Sequence, residues 1–174
     1  MRIVLNLLLV VNLLVSCQND DDNSTSNSET DLELVTGIEI RNSQSSALMN
    51  LGNPNINTNQ VIMYPNPPID ALRIDAIGNS GITDIWLVTG NAQKTHQDID
   101  FDSLLSSDTY SESEIEDESE YYFSFNESGN AIINLENYSN GYYKVFVKIN
   151  NQIEWNNVYV GNDMDIDDLM SFWD

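Results

Sequence analysis

The chain has one cysteine, one histidine and four prolines in 174 residues. Its basic residues number six against 28 acidic ones, for a net charge of −22. Each shortage excludes something. A lone cysteine, Cys17, cannot form an internal disulfide. A lone histidine, His96, would have to serve any Ser-His-Asp triad or histidine-built zinc site, and no nucleophile motif lies near it. Glycine-rich phosphate loops are missing. So few cations argue against nucleic acid as a partner, because such binding displaces counterions with basic patches. They argue equally against docking on anionic lipid by charge. No apolar run reaches the roughly 20 residues that a spanning helix needs. The longest, Ile3 to Val15, is interrupted by Asn6 and Asn12.

That short run nevertheless has a recognisable setting. Arg2 precedes it, small residues end it, and the acidic tract Gln18-Asn19-Asp20-Asp21-Asp22 follows. The order is that of a secretory leader. Leu14-Val15-Ser16-Cys17 resembles the bacterial lipobox. The resemblance implies a lipoprotein signal peptide over 1–16, with Cys17 lipidated as the first mature residue. Two or more acyl chains hold a protein firmly where one does not. The acidic tract resembles the export signal of Bacteroidota surface lipoproteins, which implies an outer-membrane anchor and exposure at the cell surface. Residues 17–33 are nearly devoid of apolar side chains and read as a disordered acidic tether.

From 34 to 160 the pattern is one of short strands and turns. Ile38 and Ile40 alternate, as do Leu72, Ile74 and Ala76. Ile82 to Thr89 reads as a strand that turns at Gly90-Asn91, with Ala92 to Thr95 continuing a hairpin. Tyr121 to Phe125 and Ala131 to Leu135 are further strands. Tyr142 to Ile149 alternates most cleanly, and Ile153 to Val160 returns beside it across Asn150-Asn151. Many strands and no long helix predict an all-β domain, a β-sandwich or barrel. Residues 97–120 interrupt it with ten carboxylates and read as an acidic loop insertion, pinned by Leu104, Leu105 and Tyr110. The tail, 161–174, places Ile166, Leu169, Met170 and Trp173 on one helical face. That face suits either a docking segment for a partner or a short amphipathic helix lying back on the sandwich.

Tyr64-Pro65-Asn66-Pro67 follows an apolar strand and precedes an alternating one. Trp86-Leu87-Val88-Thr89-Gly90 then leads to Lys94, and Ser139-Asn140-Gly141-Tyr142-Tyr143 opens a late strand. In these motifs, over roughly 61–160, the chain resembles the C-terminal sorting domain of the type IX (Por) secretion system. The resemblance implies an immunoglobulin-like β-sandwich, with Tyr64, Pro65, Asn66, Pro67, Gly90, Gly141, Tyr142 and Tyr143 as structural motif residues. The chain departs from the family in its acidic tail, its insertion and the lack of a large preceding cargo domain. Two prolines force an extended chain at the motif. Asn66 between them is expected to bond to nearby backbone, as asparagine does in turns.

Asp98, Asp100 and Asp102 fall on one side of an extended segment, a spacing that suits Ca2+. The glycine and bidentate glutamate of an EF-hand loop are missing, so a solvated acidic face is the alternative. Asp163, Asp165, Asp167 and Asp168 repeat the pattern more weakly. The expected function is a non-catalytic, lipid-anchored envelope lipoprotein displaying an interaction or structural module, and not an enzyme. A calcium-binding surface protein and a type IX-associated sorting domain are the alternatives.

Overall fold

A computed structural model describes residues 30–161 and 165–174. Within them the chain is mostly β, with several sheets and no closed barrel among the described residues. The strands are β1 (Leu34–Val35), β2 (Gly37–Ile40), β3 (Met49–Gly52), β4 (Val61–Tyr64), β5 (Ala71–Ala76), β6 (Ile82–Ala92), β7 (Tyr121–Ser128), β8 (Asn130–Asn134), β9 (Gly141–Ile149) and β10 (Gln152–Val160). Two short helices, α1 (Glu112–Glu118) and α2 (Ile166–Trp173), complete them. The largest sheet runs β1-β6-β9-β10, with β7 also paired to β6. A three-stranded sheet, β4-β5-β8, and the hairpin β2-β3 are the others.

The first core lies between the two larger sheets. Alternation puts Met63, Leu72, Ile74 and Ile133 of the small sheet against Leu87, Val145, Val147 and Val158 of the large one. Full burial of such a side chain contributes about 2 kcal/mol. Asn150 and Asn151 join β9 to β10 with φ of 50° and 64°, the left-handed pair that a tight two-residue hairpin needs.

Two expectations change. The strand β6 does not turn at Gly90-Asn91 but continues to Ala92, where β1 runs parallel to it. A Cβ on Gly90 would sit 2.6 Å from Val35 Cγ2. The glycine therefore marks a close approach of side chain to strand, not a turn. The acidic insertion 97–120 is likewise not a plain loop. It contains a 3-10 turn at Phe101–Ser103 and the helix α1, and it covers the second face of the large sheet. Phe101, Leu105, Tyr110 and Ile115 from the insertion pack on Trp86, Phe146 and Trp155. Leu104 is half exposed, at 51%. Ser111 and Glu114 form a reciprocal capping box that starts α1. Away from β7 the large sheet is thus buried on both sides, as the burial of β10 from Ile153 to Val160 shows.

A third core holds the tail. Leu169 and Trp173 of α2 are buried with Ile38, Leu51 and Tyr159. The helix lies back on the body, while Ile166, expected on the same face, is 38% exposed.

Asn66 joins these parts. It is 2% exposed, and its partners are distant in sequence, where nearby ones were expected. Its backbone exchanges two hydrogen bonds with Arg41, just past β2. Its Nδ2 donates to the Glu39 carbonyl at 2.8 Å and to the Asn157 carbonyl at 2.9 Å. Its Oδ1 accepts from the Tyr159 amide at 3.2 Å. The last two bonds go to the outer edge of β10, at positions two apart. One primary amide therefore supplies the donor and acceptor that a neighbouring strand would have supplied.

Replacing Asn66 with Ala leaves that amide and two carbonyls buried without partners. Each such orphan costs about 1–3 kcal/mol. Urea unfolding should show Asn66→Ala less stable by about 3 kcal/mol or more, whereas Asn59→Ala, at an exposed loop position, should cost far less.

Candidate functional site

Cys17 and Asp163 lie outside the described residues. The other residues singled out by the sequence divide into separate places. Tyr64 donates its hydroxyl to Asp75 Oδ2 at 2.5 Å, and Arg73 Nε lies 2.7 Å from Asp75 Oδ1. This trio sits on the outer face of β4 and β5. The bond to Asp75 raises the Tyr64 hydroxyl above its ordinary pKa, with burial adding to it. Pro65 and Pro67 flank Asn66, each after a cis peptide bond. Tyr142 and Tyr143, next to Gly141, point to opposite faces. Tyr143 enters the first core and donates to the Ser139 carbonyl at 3.0 Å. Tyr142 packs edge-on to Tyr159 and Trp173, beneath α2. All of these contacts hold structure together.

The three aspartates do not converge. Asp98, Asp100 and Asp102 are exposed, and Asp100 Oδ1 accepts from the Asp102 amide at 3.2 Å, capping the 3-10 turn. In the tail, Asp165 caps α2 by accepting from the Asp167 amide at 3.1 Å. No group of three or more His, Cys, Asp or Glu side chains among the described residues is arranged to hold a metal ion. His96 has φ of 67°, and its carbonyl accepts from Asn53 Nδ2 at 3.2 Å.

A different group, which the sequence reading passed over, is chemically the most unusual. Lys144 lies on β9, facing the insertion, and is 0% exposed. Its Nζ donates to the Tyr110 hydroxyl at 3.2 Å and sits 5.1 Å from that ring's centroid. The Tyr110 hydroxyl in turn donates to the Asp31 carbonyl at 3.5 Å. Phe146 and Trp155 close the other sides of Tyr110, edge-on at 5.3 and 5.1 Å. Burial pushes the Lys144 amine down to about 7, and the Asp31 charge offsets that only in part. Burial also pushes the Tyr110 phenol up, with the Asp31 charge adding to the rise. Beyond Tyr110 lies a cleft of about 410 Å³, rimmed by Asp31, Glu114 and Glu118. The Tyr110 phenol lies between the Lys144 amine and that cleft. One cue for it was readable. The strand from Tyr142 to Ile149 carries Phe146 beside Lys144 on the face opposite Tyr143, Val145, Val147 and Ile149, and an aromatic there asks for a cover.

The proton sets a pH dependence. In the unfolded chain a lysine keeps its proton to about pH 10. The folded chain releases it at about 7. Between those values the unfolded state binds more protons, so stability rises with pH across that window and is lowest below it. Urea midpoints measured from pH 6 to 9.5 should climb for the native chain. Lys144→Met should melt higher at neutral pH and flatten the climb. An equally steep climb in that variant would show that another group carries it.

No helix among the described residues is long and apolar enough to cross a membrane. Compared with protein-family models, curated proteins and solved structures, the chain matches none of them.

Proposed function

We propose that this chain is a lipid-anchored lipoprotein of the cell envelope, held at the outer membrane through Cys17, whose folded part is a non-catalytic interaction or structural module. The observation that carries the anchor is the unique cysteine, set directly after Leu14-Val15-Ser16 and before an acidic tract. The observation that carries the module is the employment of the motif residues. The polar atoms of Asn66 and the hydroxyl of Tyr143 are all used to tie strands together, and Tyr64 is tied to Asp75. None of them is held ready for a reactant.

The fold reading within this proposal is an immunoglobulin-like sandwich related to the type IX sorting domains. Two sheets sharing one core support it. So does Tyr143, near the start of β9, whose hydroxyl bonds back to backbone four residues upstream. A tyrosine bonded back in this way is a recurring corner of such sandwiches. The helix α2 packs onto β2-β3 and adds no strand to the sheets of the described residues.

The test is a single atom. Cys17→Ser should move the protein from the carbonate-washed membrane fraction to the soluble fraction and abolish labelling by radioactive palmitate. Retention in the washed membranes would refute the anchor.

A further inference from the structure

The large sheet has two outer edges, and they are treated differently. The edge of β10 is closed at three points. Asn66 bonds its Asn157 carbonyl and Tyr159 amide, Asn57 exchanges two backbone bonds with Trp155, and Glu154 accepts from the Asn59 amide. Among the described residues the edge of β7 has no such cover. β7 is paired only with β6 among the described strands. Its first five residues, Tyr121-Tyr122-Phe123-Ser124-Phe125, hold four aromatics and no charge or proline. Tyr121, Phe123 and Phe125 only half-bury their rings against the first core. A long open edge of this composition is a template for another strand.

A cleft lies beside that edge. Trp86, Tyr122, Glu116 and Ser119 line about 300 Å³ on the outer face, where α1 meets the start of β7. The Trp86 and Tyr122 rings are 5.7 Å apart, and Tyr122 is 55% exposed. Asp84 Oδ1 holds the Tyr122 hydroxyl at 2.7 Å and fixes the ring. A strand added beside β7 would place its side chains about 5 Å from those of β7 on the same face. One such side chain would lie on the exposed Tyr122 ring, with the Glu116 carboxylate lining the same cleft and Trp86 buried behind the ring. Arginine suits that cleft, since its guanidinium stacks on rings and pairs with carboxylate. The flanks agree in sign, with Asp117, Glu118, Glu120 and Glu127 bracketing those five residues.

We propose that the open edge of β7 binds an extended, arginine-bearing peptide segment of a partner protein by strand addition, with one arginine seated on Tyr122 beside Glu116. The backbone ladder supplies the affinity and the cleft supplies the selection. The claim deepens the reading of the folded part as an interaction module and rests on it. Its failure would leave the lipid anchor untouched, because retention through Cys17 is measured without any peptide.

The experiment uses the full-length protein and a fluorescein-labelled peptide alternating arginine with valine. A second peptide has the same side chains but N-methylated amides at alternate positions, which removes ladder bonds and keeps the charge. Fluorescence anisotropy should show saturable binding of the first peptide, with N-methylation weakening it at least about tenfold, as the loss of ladder hydrogen bonds demands. Tyr122→Ala and Glu116→Gln should each weaken it by about tenfold. The double change Asp167→Asn with Asp168→Asn, on α2, should leave it unaltered. Equal binding of both peptides would mean adsorption to a strongly acidic surface and would overturn the proposal, as would the absence of binding by either.

Discussion

One primary amide, that of Asn66, decides whether the body closes. Backbone polar groups at a buried sheet edge need partners, and a strand cannot be placed everywhere. At β10 the partner is a side chain inserted between two prolines, which bonds the Asn157 carbonyl and the Tyr159 amide. Asn157 continues the chain of contacts. Its own Nδ2 donates to the Gly37 carbonyl at 3.0 Å and the Pro54 carbonyl at 3.1 Å. Trp155 Nε1 adds a bond to the Asn55 carbonyl at 3.0 Å. A hydrophobic side chain of similar size would fill the space and leave the edge unbonded. Asparagine fills the space and bonds the edge, so amides close β10 beside the hydrocarbon of the third core.

The opposite solution operates under the insertion. There the sheet face is covered by aromatic and aliphatic side chains carried on an otherwise acidic segment. The fully buried cation in that layer, Lys144, donates to a phenol, and the Asp31 charge offsets its burial only in part. Such an amine is a cost to the folded state near neutrality, since burial that an opposing charge offsets only in part favours the neutral form. The acidity of the insertion is kept outside. Glu112 reaches across the surface to Lys148, with both of its oxygens 2.7 Å from Nζ.

Much of this was legible beforehand and the rest was hidden for definite reasons. Period-two alternation exposed β5, β8 and β9, because each has a clear core face. The Asn150-Asn151 turn and the amphipathic tail helix were readable from local signals alone. Gly90 misled because glycine marks both turns and close approaches, and only the position of Val35 separates the two. The insertion misled because its charge is conspicuous and its burial depends on four apolar residues spaced irregularly. The capping box at Ser111 and Glu114 was present as a sequence signal and would have indicated a helix. The partners of Asn66 could not have been read, since they lie at sequence separations of 27, 91 and 93. For the expected calcium ligands, spacing along an extended segment said nothing of the 3-10 turn that directs Asp100 to backbone.

The covering segment between β6 and β7 has a consequence for how this architecture can change. Its two flanking strands are registered to each other directly, from Leu87 opposite Tyr121 to Ile82 opposite Ser128. The segment leaves and re-enters at neighbouring points, so the sheet does not rely on it for alignment. It behaves as a cassette. Its length and sign of charge are free to drift, provided that a few greasy side chains still roof Trp86, Phe146 and Trp155, and surface character can be rewritten there without retooling the scaffold.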